Sequence, residues 1–330
     1  MFNNKTILIT GGTGSFGRNF TRHILTNYNP ARLIIFSRDE LKQFQMKRKF
    51  DDPRLRFFLG DIRDLSRLQR AFHGVDIVVH AAALKQVPIL EYNPFEAVKT
   101  NVVGSQNVIE AAIDQGVDKV LLVSSDKAVQ PVNLYGATKL CAEKLFVNGN
   151  VYSGGKTKFS CVRYGNVLGS RGSLVELLLR NKNAQSVHIT HVEMTRFWIS
   201  FEQAFDLVEF AFQNMEGGEI FVPRIPSMKI VDLFDAITPN AKREIIGIRP
   251  GEKIHESLIT EAESHRSVEF GNKYFVILPE QNDIFDVATK FAKYLTQGKP
   301  LPENFSFRSD NNLHWLTAEE LRVLINNIQL

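Results

Sequence analysis

The sequence predicts an α/β protein built on a doubly wound parallel sheet, with a smaller C-terminal lobe. Three observations predict it. Short apolar runs alternate with helix-length amphipathic stretches through residues 1–165, the pattern of a parallel sheet covered on both faces. The first run, Thr6–Thr10, opens directly into glycines. Later runs end in small or polar residues, and in such a sheet the C-terminal strand ends converge on one crevice.

Gly11, Gly14 and Gly17 follow the first strand at G-x-x-G-x-x-G spacing, and a helical pattern runs on through Leu25. Glycines there let backbone amides approach a pyrophosphate, and a helix N-terminus favours its charge. A glycine triplet alone is weak evidence; directly after an N-terminal strand it predicts nucleotide binding. The second strand, Arg32–Ser37, ends in Ser37-Arg38-Asp39, with Glu40 and Lys42 beyond. This position reads the adenosine ribose. An acid bonds the two hydroxyls of NAD, whereas Ser and Arg accept the extra phosphate of NADP. Ser37, Arg38 and Lys42 favour NADP; the rival reading makes Asp39 the ribose ligand and leaves Arg38 in solvent.

The third strand, Leu55–Leu59, leads into Gly60-Asp61-Ile62, whose carboxylate could meet an adenine amino group. The fourth, Ile77–His80, opens into Ala81-Ala82-Ala83, small residues that suit either a cofactor or plain packing. Lys85 is a surface lysine or a diphosphate ligand. Pro94 begins a long helix to Gln115 that carries Asn101. The fifth strand, Val120–Val123, delivers Ser124, Ser125, Asp126 and Lys127 in a row. Tyr135 and Lys139 follow at i, i+4, on one helix face. An ammonium beside a phenol favours the phenolate, which can take a proton from a hydroxyl as its carbon is oxidised. The spacing is common by chance; its convergence with the strand ends makes it candidate chemistry.

A sixth strand, Lys158–Arg163, precedes a glycine-punctuated loop, R-Y-G-N-V-L-G-S-R-G-S. A helix over Phe201–Phe212, a strand over Glu219–Val222 and a polar loop at Arg249–Lys253 come next. Thr317 and Glu320 form a capping box for a last helix. The expected division is a dinucleotide-binding domain over 1–165, returning near 200–222, and a mainly substrate-binding lobe over 166–330 that closes on the cleft.

Composition sets the class. The chain has 330 residues, 44% hydrophobic and 23% charged, as soluble globular enzymes do. A net charge of +4 is too slight to argue for nucleic acid. No apolar run approaches the ~20 residues of a membrane span. Ile7-Leu8-Ile9 reads as a strand rather than a signal peptide, which points to the cytoplasm. Cys141 and Cys161 lack metal-ligand spacing and are expected to be two buried, reduced thiols; no metal site is expected.

With these pieces placed, the chain resembles the extended short-chain dehydrogenase/reductase superfamily, with its Rossmann sheet. The glycine triplet, the Tyr135-x-x-x-Lys139 pair and Thr100-Asn101-Val102 carry that likeness. More closely it resembles the inverting UDP-N-acetylglucosamine 4,6-dehydratases that open pseudaminic acid synthesis, which supplies the sugar for flagellin glycosylation. T-G-G-T-G-S-F-G, S-R-D-E-L-K-Q, A-A-A-L-K-Q-V-P, S-S-D-K-A, R-Y-G-N-V-L-G-S-R-G-S and R-P-G-E-K-I-H-E carry this match, over at least residues 1–260. Ser125 stands where these relatives usually have Thr. Dehydratases that retain configuration have Asp-Glu where this chain has Asp126-Lys127.

The resemblance implies NADP held by Gly11, Thr13, Gly14, Ser15, Phe16, Gly17, Ser37, Arg38, Asp39, Glu40, Lys42, Asp61, Ile62, Ala81, Ala82, Asn101, Tyr135, Lys139, Val167 and Arg171. It implies a UDP-N-acetylglucosamine site formed by Lys85, Ser124, Ser125, Asn166, Ser173, Arg196, Arg249, Glu252 and His255, in a homo-oligomer, dimer or hexamer. The chemistry is oxidation at carbon 4, loss of the carbon 5 proton and the carbon 6 hydroxyl, then reduction at carbon 6. Tyr135, tuned by Lys139 and aided by Ser125, suits the carbon 4 proton. Lys127 suits the carbon 5 proton if burial and neighbouring cations keep it neutral. Asp126 suits protonation of the departing hydroxyl. The pair could instead be a plain salt bridge. A nucleotide-sugar 4-epimerase shares the fold and Tyr135/Lys139 but has no need of Asp126-Lys127. A non-catalytic NADP-sensing scaffold has no need of the Tyr-Lys pair.

Overall fold

Apolar runs bounded by turns became strands where expected. The computed structural model describes residues 1–280 and 286–326. Six strands fall on the predicted runs: β1 (Thr6–Thr10), β2 (Arg32–Ser37), β3 (Leu55–Leu59), β4 (Ile77–His80), β5 (Lys119–Val123) and β6 (Lys158–Val162). They pair in parallel in the order β3-β2-β1-β4-β5-β6. β1 pairs Leu8 with Ile34 on one side and with Val78 on the other. The chain winds outward from β1 in one direction and restarts at β4 in the other, so a crevice opens at that switch point. Strands buried on both faces must be apolar throughout, which is why their central residues are almost all aliphatic or phenylalanine.

The sheet continues past β6. Ile220–Pro223 adds in parallel, and Tyr274–Ile277, Ser267–Phe270 and Lys299–Pro300 add antiparallel, making ten strands. The return to the sheet is thus longer than the 200–222 segment. A second apolar core gathers Leu168, Val175, Trp198, Met228, Leu233, Phe234 and Leu321. Helices Leu174–Arg180, Ile230–Ile237 and Ala318–Asn326 enclose it. Thr317 and Glu320 cap the last of these reciprocally, at 2.8 and 3.2 Å. Among the described residues no helix is long and apolar enough to cross a membrane.

Two expectations are corrected. The helix from Pro94 to Gln115 is interrupted by a π turn at Lys99–Val103. Asn101 sits in that turn. Its amide oxygen accepts from Leu84 N–H at 2.8 Å, and its nitrogen donates to Leu84 O at 2.9 Å and to Thr138 Oγ1 at 3.0 Å. Cys161 is buried, but Cys141 is exposed. The helix Leu134–Tyr152 buries Tyr135, Thr138, Lys139, Ala142 and Phe146. Cys141 lies two positions past Lys139, about 200° around the axis, on the solvent face.

The end of β6 is locked by charge. Arg163 is 2% exposed and donates to Glu143 at 2.7 Å, Glu263 at 3.0 Å and Leu258 O at 2.9 Å. Burial opposes the guanidinium charge, but the two carboxylates outweigh it and raise its pKa. Burial likewise pushes the Glu263 carboxyl up, and Arg163 more than reverses this. Breaking a buried pair by removing one partner costs about 3–5 kcal/mol. Glu143→Ala should therefore lower unfolding free energy by ~3 kcal/mol, read from urea denaturation. Because the folded pKa of Glu263 is depressed, its contribution is complete above the ordinary glutamate value of about 4.3. It is lost as pH falls through the folded value. The stability gap between the native chain and Glu263→Gln should be constant near neutrality and shrink below about pH 4.

Candidate active site

The strand ends converge as predicted. A cleft of about 1570 Å³ runs along the C-terminal edge of the sheet. That exceeds the ~300–1,000 Å³ typical of a single small-molecule site, so a dinucleotide and a second ligand have room. One end is walled by Gly11, Thr13, Gly14, Ser15, Phe16, Ser37, Arg38, Asp39, Lys42, Ile62, Ala81 and Ala82. The other is walled by Lys85, Ser124, Ser125, Lys127, Tyr135, Lys139, Asn166, Val167, Ser173 and Glu252, and Arg171 lines the cleft beside Ser15.

The first end fits a dinucleotide. Gly11 has φ +66°, and a Cβ there would lie 2.8 Å from the Ala82 backbone. A Cβ on Gly17 would lie 2.4 Å from Gly12 O. The turn therefore packs against β4 and its own helix only as glycine, leaving Gly17 behind the wall. Ser15 Oγ accepts from Arg171 N–H at 2.9 Å, tying the turn to the glycine-punctuated loop. Asp39 caps the helix Glu40–Phe50, accepting from Lys42 N–H at 2.9 Å, and its second oxygen pairs with the Lys42 ammonium. Its carboxylate is committed there. Arg38 remains half exposed at the wall, 3.6 Å from Asp61, and Ser37 Oγ accepts from Gln43 at 3.1 Å.

Several predicted residues lie off the wall. Asp61 is held by Arg63 at 2.7 and 3.0 Å. Glu40 starts its helix, and Asn101 braces the loop after β4. Arg196 donates to the carbonyls of Thr195, Lys253 and Ile254 at 2.7–3.0 Å, so it holds a loop in place. His255 Nδ1 lies 2.9 Å from Thr195 Oγ1, and Arg249 is exposed on its loop. Ser173 lines the cleft while capping the helix Leu174–Arg180.

At the second end, Asp126–Ala128 forms a single helical turn straight after β5. Lys127 Nζ lies 3.0 Å from Asp126 Oδ1, 3.1 Å from Asn166 Oδ1 and 3.7 Å from Glu256 Oε1. Ser125 Oγ donates to Asp126 Oδ1 at 2.8 Å. Asp126 Oδ2 and Ser124 Oγ are buried without hydrogen-bond partners. Lys139 donates to Val123 O at 2.7 Å.

The electrostatics correct the expected roles. Burial opposes charge on Lys127, but Asp126 and then Glu256 outweigh it, so its pKa is raised and it is an ammonium. The salt bridge is real. Burial raises the Tyr135 phenol, and the cation that opposes this is Lys127, with a hydrogen bond to Ser125. Burial lowers Lys139, to about 8, and lowers Lys85 as well. The sequence reading also passed over Glu256, the last residue of R-P-G-E-K-I-H-E. Its type was legible, but its burial beside Lys127 depends on a contact 129 positions apart.

A family model described as polysaccharide biosynthesis protein matches residues 7–278. The chain belongs to that family. Among similar proteins is the UDP-N-acetylglucosamine 4,6-dehydratase (inverting) of Campylobacter jejuni, 50% identical over 100% of this chain and 99% of that one. The UDP-glucose 4-epimerase of Rickettsia felis is 40% identical over 99% and 97%. A solved structure, Pen from Bacillus thuringiensis, superposes with a TM-score of 0.88 at 39% identity, covering 99% and 98%. The dTDP-glucose 4,6-dehydratase DesIV of Streptomyces venezuelae, with NAD and TYD bound, shares the fold at a TM-score of 0.67 and 23% identity, over 76% and 86%.

The Asp126–Ala128 turn and the Tyr135 helix touch through a glycine. A Cβ at Gly136 would lie 2.2 Å from Lys127 O and 3.0 Å from Pro131 Cβ. Gly136→Ala must push the Tyr135 helix off the Asp126–Ala128 turn. Overpacking of this kind costs about 1–3 kcal/mol, and a ~1 Å displacement of reacting groups costs about 10²-fold in rate. Thermal melting and turnover should show both losses, with the larger share in turnover.

Proposed function

We propose that this chain is an inverting UDP-N-acetylglucosamine 4,6-dehydratase that uses NADP. Its product would be UDP-2-acetamido-2,6-dideoxy-β-L-arabino-hexos-4-ulose, made in the cytoplasm by a homo-oligomer as an early step of pseudaminic acid or related surface-sugar synthesis. One observation carries the reading: end-to-end 50% identity with the Campylobacter jejuni dehydratase. The buried Asp126-Lys127 turn facing Tyr135 is consistent with it. The relatives named UDP-glucose 4-epimerase, at 40% identity, favour a second reading. Epimerisation needs only the carbon 4 chemistry and leaves Asp126-Lys127 without a task.

Arg38, half exposed at the wall, would hold the ribose phosphate of NADP with Ser37, while Asp39 and Lys42 are paired with each other beside them. The bound nicotinamide supplies hydride acceptance and return. Tyr135 takes the carbon 4 hydroxyl proton; burial raises its pKa, and Lys127 and Ser125 offset part of that rise. A ketone at carbon 4 acidifies carbon 5 enough for an amine base, and Lys127 is within the cleft to remove that proton. It enters the cycle charged, and passing its proton to Asp126, to which it donates at 3.0 Å, would leave the neutral amine and load the carboxyl for the departing hydroxyl. Asp126 Oδ2, buried and unpartnered, can carry a proton to the departing carbon 6 hydroxyl. Lys85, Asn166, Ser173 and Glu252 line the cleft where the UDP-sugar would lie.

Cofactor extracted from the pure protein should carry the 2′-phosphate, and Arg38→Ala should abolish the preference for NADP over NAD. Recovery of mostly NAD would make Asp39 the ribose ligand. NMR of the product formed from UDP-N-acetylglucosamine in deuterated water should show solvent deuterium at carbon 5, inverted configuration there, and the substrate's carbon 4 hydrogen at carbon 6. Tyr135→Phe should stop oxidation, and Lys127→Ala should allow oxidation but stall elimination, each by a factor of about 10² to 10⁴. Retained configuration at carbon 5 in early product, or a product that keeps its oxygen at carbon 6, would defeat the assignment.

A further inference from the structure

Lys127 lies between two carboxylates that reach it from distant parts of the chain. Asp126 is its neighbour in sequence. Glu256 arrives from the loop after Arg249-Pro250-Gly251, and its side chain is 4% exposed. Its backbone is pinned on both sides: Glu256 N–H donates to Ser309 Oγ at 2.9 Å, and Ser309 N–H donates to Glu256 O at 2.8 Å. Three cations surround the carboxylate. Lys253 Nζ is 3.3 Å away, Lys127 Nζ 3.7 Å and Arg196 Nε 3.9 Å. Glu256 is not among the residues that wall the cleft, so it acts on the cleft through Lys127.

We infer that Glu256 is a positioning residue: its charge holds the Lys127 side chain as an ammonium beside Asn166 and sets the pH above which Lys127 becomes a base. This rests on the reading of Lys127 as the group that removes the carbon 5 proton. The groups facing Lys127 are Asp126 on its own turn, Glu256, Arg196 on the strand Thr195–Ile199, Tyr135 on its helix and Lys85 after β4. Asp126 and Glu256 together outweigh burial and Arg196, so removing one carboxylate weakens the hold on the ammonium. With Glu256 gone, Lys127 keeps Asp126 alone against Arg196, Lys85 and the released Lys253. The neutral amine is then favoured at lower pH.

A lysine acts as a base only when neutral, so turnover rises as pH rises through its pKa. Losing a neighbouring carboxylate lowers that pKa, commonly by about one unit or more.

The test uses the full chain with NADP and UDP-N-acetylglucosamine, following kcat and KM across pH. Glu256→Gln should move the acidic limb of the kcat profile down by about one pH unit, with KM little changed. Below the limb the variant should outpace the native enzyme by up to ~10-fold. Deuterium uptake at carbon 5 should shift in the same way. Glu256→Asp should restore the native limb. Lys253→Met, which removes a cation from Glu256 and leaves the carboxylate facing Lys127, should move the limb upward. Because that shift has the opposite sign, it tests the idea even if Glu256→Gln folds poorly.

Equal loss of kcat at every pH in Glu256→Gln, or limbs unmoved in both variants, would overturn the inference and leave Glu256 a structural residue. Lys127→Ala separates the two readings. Normal turnover by Lys127→Ala sinks the assignment of the base, and the role of Glu256 with it. Impaired Lys127→Ala with an unmoved Glu256→Gln limb sinks the role of Glu256 alone.

Discussion

Two backbone hydrogen bonds carry the sheet past its own edge and into the active site. Ser124 N–H donates to Val162 O at 2.8 Å and Asp126 N–H to Tyr164 O at 2.9 Å, beyond the last residue of β5. The turn bearing Asp126 and Lys127 is thereby an extension of the sheet, and it inherits the sheet's rigidity. Arg163 lies between the two acceptors, and Glu143 and Glu263 grip its side chain. Glu143 is on the Tyr135 helix. The same short stretch at the end of β6 thus fixes both the Asp126–Ala128 turn and the helix that faces it.

That arrangement explains why the site's charges depart from a reading of residue types. A phenol and an ammonium four positions apart invite the idea that one tunes the other. In three dimensions Lys139 turns back to Val123 O, and the cation that acts on Tyr135 is Lys127. The lysine expected to be neutral is the charged one, because Asp126 first and then Glu256, from a loop far away in sequence, outweigh its burial. Burial alone would have lowered both lysines; what separates them is this pair of carboxylates.

Much of the fold was legible because its signals are local. A buried parallel strand has to be apolar along its whole length, and a glycine turn has to follow β1 if Ala82 is to pack against it, so each could be read in place. The capping box at Thr317 and Glu320 is equally local. The π turn at Lys99–Val103 was not legible, since no residue type demands it. The substrate-side list was the least legible part. Arg196 and His255 are polar residues in a plausible loop, but the carbonyls of Lys253 and Ile254 and the Thr195 hydroxyl claim them first. An arginine that holds a loop and one that holds a ligand have the same sequence signature; only the acceptor differs.

Asn101 has a consequence for anyone who would redesign this enzyme. Its one amide fastens the loop after β4 to the helix of Thr138 and Tyr135. The cofactor-side wall and the phenol are therefore a shared chassis, and tailoring one alters the other. The opposite wall, from Asn166 to Glu252, is tied to the glycine turn through Arg171 and to the loop of Lys253 and Ile254 through Arg196. A new sugar preference sought at Asn166 would reach the proton chemistry as well, because that amide accepts from Lys127 at 3.1 Å.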